Sequence, residues 1–94
     1  MNAETKEVLL ILQEECAEVS QAISKCFRFG PDQVGPTSNG KTNIGRVEEE
    51  LGDLVAMVEL LTDLDIGVTT SNIELAKKLK FEKLKKWSTL TINK

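Results

Sequence analysis

A chain of 94 residues with 40% hydrophobic, 29% charged and only 4% aromatic side chains suits a helical globular domain and excludes a disordered or all-β one. The net charge of −3 argues against a nucleic-acid-binding surface, and no apolar run is long enough to span a bilayer. The length suffices for a helical pair or trio but falls short of what gives a lone core comfortable stability, so a single domain over 1–94 that assembles into an oligomer is expected.

The first helix is predicted over residues 3–26, capped by Asn2, with Glu4 favourable in its first turn. An N-terminus that opens on Glu4 and Glu7 lacks the basic stretch and apolar run of a secretory leader, so a cytoplasmic setting is expected. Stepping by three and four residues gives one row of Val8, Ile11, Glu15, Glu18 and Ala22, in which two acids interrupt apolar side chains. Beside it runs an unbroken row, Leu9, Leu12, Cys16, Val19 and Ile23, which predicts the core seam. Cys16 and Cys26 lie about 15 Å apart along the helix, too far to pair, and read as buried or half-buried free thiols.

Residues 27–42 carry Gly30-Pro31, Gly35-Pro36 and Asn39-Gly40, so a long loop without regular structure is predicted there. Loops of this kind are often functional. A second helix follows, capped by Thr42 or Asn43 and running to about Asp65, with Gly67 as its stop. Its row Arg46, Glu50, Asp53, Met57, Leu60 and Leu64 repeats the interruption by two acids, and its neighbour Val47, Leu51, Leu54, Val58 and Leu61 is again unbroken. Gly52, between the acids, either admits a close neighbour or is neutral.

The third helix is predicted to start at Ser71 or Asn72 and to carry Lys77, Lys78, Lys80, Lys83, Lys85 and Lys86. Its row Ile73, Ala76, Lys80, Lys83 and Trp87 sets two lysines among apolar residues. They are natural partners for phosphate or carboxylate, unless their stems merely snorkel from a solvated face.

If the unbroken rows pack together, Glu15, Glu18, Glu50 and Asp53 meet at the margin of the core. Ionised carboxylates there cost several kcal/mol unless paired, protonated or coordinated. Lysine, arginine, protons or a divalent cation would each compensate them. Four convergent oxygen donors and no histidine favour a hard ion, Mg²⁺ or Mn²⁺, over zinc. The absence of histidine excludes Ser-His and Cys-His nucleophiles and the Glu-x-x-His pairs of di-iron bundles. Asp63, Asp65 and Glu74 have partial EF-hand spacing, but Val68 stands where that loop needs glycine.

The segments EECAE at residues 14–18 and EEELGD at residues 48–53 resemble the signature of MazG-type nucleoside triphosphate pyrophosphohydrolases, Glu-Glu-x-x-Glu followed by Glu-x-x-Asp. The resemblance extends over the glycine- and proline-bearing loop and the lysine-rich last helix. It implies an all-α fold, an antiparallel helical hairpin plus a further helix, completed as a bundle by forming a homodimer or homotetramer. It further implies Mg²⁺-dependent hydrolysis of (deoxy)nucleoside triphosphates between the α and β phosphates, in the service of nucleotide-pool control. On this match Glu15, Glu18, Glu50 and Asp53 would be the metal ligands. Glu14 and Glu49 would hold a further ion or orient the attacking water, and Lys80 and Lys83 would contact phosphates.

Arg28 and Lys41, at the ends of the loop, would either close over the substrate or remain ordinary solvated charges. Phe27, Phe29 and Trp87 read as core packing, with stacking on a base as the alternative. The competing functional reading is a non-catalytic helical oligomerisation or interaction module in which the acids only pair with lysines.

Overall fold

In a computed structural model that describes residues 1–94, the chain forms three helices and no sheet: α1 (Ala3–Phe29), α2 (Asn43–Asp63) and α3 (Thr70–Trp87). The Asn2 side chain caps α1 as expected, accepting a hydrogen bond from the Thr5 amide at 2.8 Å. The helix continues one turn beyond the predicted end and stops at Gly30, whose φ of 93° suits glycine and whose N–H bonds back to the Cys26 carbonyl. Thr42 caps α2 through a bond from the Gly45 amide, 3.1 Å long. That helix ends at Asp63, two residues early, where the Leu64 amide turns back to the Leu61 carbonyl. The cap of α3 is Thr69, accepting from the Asn72 amide at 3.1 Å, so Ser71 and Asn72 lie inside the first turn.

α1 and α2 form the only substantial helix pair. Glu15 lies beside Glu50 and Asp53, whereas Gln21 and Lys25, further along α1, share a cleft with Arg46, earlier on α2. Numbers that rise on one helix as they fall on the other make the hairpin antiparallel.

The loop is more ordered than its breakers suggest. The Asn43 side chain is buried and donates to the Gly30 carbonyl at 2.9 Å, while the Asn43 and Ile44 amides bond to the Gln33 and Pro31 carbonyls. A bridge between Val34 and Thr42 closes the turn. A tertiary bond from the first residue of α2 thus ties down both ends of the loop.

The expected core seam forms only in part, because the helix contact is shared between the unbroken rows and the acid-bearing ones. Cys16, Ile23 and Leu51 of the unbroken rows are exposed, and only Leu61 of them is buried. Leu9, Leu12, Val19, Val47, Leu54 and Val58 are half-buried, and the acid-bearing rows are covered to a similar degree: Ala22 and Glu50 are buried, Val8, Ile11, Glu15 and Met57 half-buried, and Glu18, Asp53 and Leu60 exposed. Adjacent rows on a helix differ by about 100°, and a small residue at Ala22 lets α2 approach on the acidic side. Phe27, Phe29 and Trp87 are exposed at 87%, 52% and 78%, so none is a core residue within the chain.

The three helices spread over 41 × 38 × 15 Å, a slab too thin to enclose an interior, and Ala22 and Leu61 are its only buried hydrophobic residues. Leu10, Leu51, Val55 and Leu60 lie open on the hairpin, and Leu75 and Leu79 on α3, which barely touches it. No helix is long and apolar enough to cross a membrane.

Because Asn43 joins the loop to the start of α2, Asn43→Ala is expected to lower the free energy of unfolding by about 1–3 kcal/mol. Urea denaturation measures the loss, and limited proteolysis is expected to cut first within residues 30–42.

Candidate metal centre

Near the middle of the hairpin, carboxylate oxygens of Glu15 from α1 and of Glu50 and Asp53 from α2 all lie within 4.8 Å of one another. The helical repeat accounts for the pairing on α2, since residues three apart share a face. Their surroundings differ. Glu50 is buried, Glu15 half-buried and Asp53 exposed, so the cluster runs from the helix interface out to solvent.

Glu50 alone of the three has a cationic partner. The Arg46 Nη2 donates to its Oε1 at 3.0 Å, and the other arm of the same guanidinium donates to Glu49, which also meets Lys41. The Glu15 carboxyl is held above its ordinary value of 4.5, first by loss of hydration and then by the negative charges of Asp53, Glu50, Glu18 and Glu14. Glu15 and Asp53 form no ion pair. Three carboxylates with an excess of negative charge, and neither histidine nor thiol among them, suit a hard divalent cation such as Mg²⁺ or Mn²⁺.

The other expected site residues lie at varying distances from this cluster. Glu18 is exposed and stands outside the triad, but lines an adjoining narrow cleft with Gln21, Ala22, Lys25, Arg46 and Glu50. Glu14 is exposed on α1, without a cationic partner, and Glu49 is half-buried in its ion pairs. Lys80 and Lys83 are exposed on α3, and no packing of α3 on the hairpin brings them to the acids within one chain. Lys41 reaches back to Glu49, and the Arg28 guanidinium sits 4.9 Å over the Phe29 ring. A Cβ added at Gly52 would meet nothing within 4 Å, so that glycine admits no close neighbour from its own chain. Cys16 is exposed and Cys26 half-buried, both as free thiols.

Arg46 is the residue that sequence reasoning passed over. Counted as the first member of an apolar row, it is the cation that compensates the buried acid. The signal lay in its spacing, three residues before Glu49 and four before Glu50, which places opposite charges on one helical face.

A family model described as "MazG nucleotide pyrophosphohydrolase domain" matches residues 3–86, nearly the whole chain. Comparison with curated proteins found no match, and neither did comparison with solved structures.

The raised Glu15 value has a definite sign for stability. The native state holds this proton more tightly than the unfolded chain does, so the group favours folding below pH 4.5, and that contribution disappears as pH rises through the higher folded value. In the metal-free protein, Glu15→Gln is expected to raise Tm at neutral pH and to flatten the decline of Tm above pH 4.5. Thermal melts in chelator across that pH range check both effects.

Proposed function

We propose that this chain, which belongs to the MazG nucleotide pyrophosphohydrolase domain family, hydrolyses (deoxy)nucleoside triphosphates to a monophosphate and pyrophosphate with Mg²⁺. Membership over residues 3–86 supports nucleotide pyrophosphohydrolase activity in general. The observation that carries the more specific reading is the convergence of Glu15, Glu50 and Asp53, of which only Glu50 is neutralised by the protein. A triphosphate cannot approach three carboxylates unaided, because like charges repel at short range.

Glu15, Glu50 and Asp53 would hold the cation, with Glu18 one turn from Glu15 as a further ligand. A divalent ion bound there offsets phosphate charge and polarises phosphoryl oxygens. Water attacks phosphorus at the α–β bridge, a new P–O bond forms as the bridging P–O bond breaks, and the proton of the water passes to a carboxylate. Of the two acids assigned to orient that water, Glu14 is free to accept the proton and Glu49 is engaged with Arg46 and Lys41. Arg46 keeps the Glu50 carboxylate in position.

Lys80 and Lys83 would stabilise charge on the departing pyrophosphate. In this reading they reach the acids of a second copy, since α3 barely touches its own hairpin. A homodimer or homotetramer would cover Leu51, Val55, Leu75 and Leu79 at the same time. The interaction-module alternative requires lysines on the acids; within one chain neither Glu15 nor Asp53 carries one, so it too would need the lysines of a second copy.

Incubation with a panel of triphosphates and Mg²⁺ or Mn²⁺ is expected to yield monophosphate and pyrophosphate. Orthophosphate as the product, or no turnover with either ion, would contradict the proposal. Mg²⁺ is expected to raise Tm, because it binds the native state, and that rise is expected to disappear in Asp53→Asn. Glu50→Gln is expected to lower kcat at least 100-fold, roughly 2.7 kcal/mol of transition-state stabilisation, while circular dichroism shows helicity retained.

A further inference from the structure

Beyond the acidic cluster, a cavity of about 350 Å³ lies under the loop at the other end of the hairpin. Its wall includes Lys25, Phe29, Gln33, Ser38, Asn43 and Arg46. Two of these, Lys25 and Arg46, also line the cleft that contains Glu18 and Glu50. The cavity and the cleft that reaches Glu50 therefore adjoin, with Lys25 and Arg46 between them. One helical turn, about 5.4 Å, separates Glu50 from Arg46, and another separates Lys25 from Phe29.

We propose that this cavity receives the base and sugar of the nucleotide whose phosphates lie at the acidic cluster, an assignment that rests on the hydrolase reading above. The chemistry of the wall away from Lys25 and Arg46 differs from theirs. Phe29 offers an aromatic face, half-exposed at 52%, and the Arg28 guanidinium that lies over the ring does not itself line the cavity. Stacking of a base on an aromatic ring tolerates any base. Gln33 presents both a donor and an acceptor at the end of a side chain that forms no other bond in the chain, so it is the group able to distinguish base edges. The Asn43 amide and the Ser38 hydroxyl are already spent on the Gly30 and Gly35 carbonyls, which fixes the wall. Phe29 and Val34 are the hydrophobic residues of a largely polar wall, so the aromatic face and the fixed polar groups around it suit a polar ring such as a base rather than an apolar ligand. The cations lie on the side towards the acids, where phosphates would pass.

The test is steady-state kinetics of Phe29→Ala and Gln33→Ala with four nucleoside triphosphates, alongside inhibition by inorganic triphosphate, which has phosphates but no base. Both side chains are at least half-exposed or on the surface, and retained helicity together with a retained Mg²⁺-induced rise in Tm checks that each variant folds. The expected result is a rise of about tenfold in KM for every nucleotide in Phe29→Ala, as loss of one stacking contact implies. Gln33→Ala is expected to change the ranking of the four bases. Inhibition by inorganic triphosphate should stay unchanged in both. Unchanged KM and ranking would overturn the proposal, as would an equal loss of affinity for nucleotides and inorganic triphosphate. Wild-type protein inert towards every triphosphate would overturn the hydrolase reading instead. In that case titration with nucleoside monophosphates still tests the cavity: amide shifts at Gln33 and Ser38 in NMR spectra support it, and their absence overturns it.

Discussion

The carboxylate of Glu50, 6% exposed between two helices of a small protein, is the feature to which the rest of the hairpin is adjusted. Removing a charge from water costs several kcal/mol, and Arg46, one turn earlier on the same helix, offsets part of that cost. The compensation stops there. Glu15 and Asp53 add like charge at the same point without a partner from the chain, and the Glu15 carboxyl answers by holding its proton more firmly. A hairpin arranged only for stability would not bury Glu50 beside two further acids. The arrangement makes physical sense when a cation completes it, and then the cost of three neighbouring acids becomes binding affinity for that cation.

The loop belongs to the same arrangement. Asn43 is buried at the first turn of α2 and holds Gly30 and the turn that follows. Arg46 lies one turn further along, so the bond that orders the loop also sets where the guanidinium stands relative to Glu50. The cavity under the loop and the cleft that reaches Glu50 therefore share Arg46 as part of their walls.

Much of this was legible in the sequence. Stepping by three and four residues identified all three helices and the acids that interrupt their rows, and Asn2 and Thr42 act as caps where their side-chain chemistry suggested. Which of two adjacent rows faces the neighbouring helix was not legible. On each helix both rows contribute half-buried side chains, and the contact falls between them, with Ala22 and Leu61 as its buried hydrophobic residues. The α3 cap was ambiguous for a different reason, since Thr69, Thr70, Ser71 and Asn72 are four consecutive residues with capping side chains. The order of the loop comes from a tertiary hydrogen bond of Asn43, which local breaker patterns do not reveal. The apolar side chains left open on α2 and α3, Leu51, Val55, Leu60, Leu75 and Leu79, have the composition of a surface that packs against another.

The central claim is that Glu15, Glu50 and Asp53 jointly hold a divalent cation. A crystal structure of the protein grown with Mn²⁺ tests it most directly, because anomalous scattering locates that ion without assumption. The account predicts a peak among these three carboxylates, with oxygen ligands at about 2.0–2.2 Å as for small hard divalent ions. A triad that binds no ion, its acids paired instead with lysines of a neighbouring copy, would contradict it.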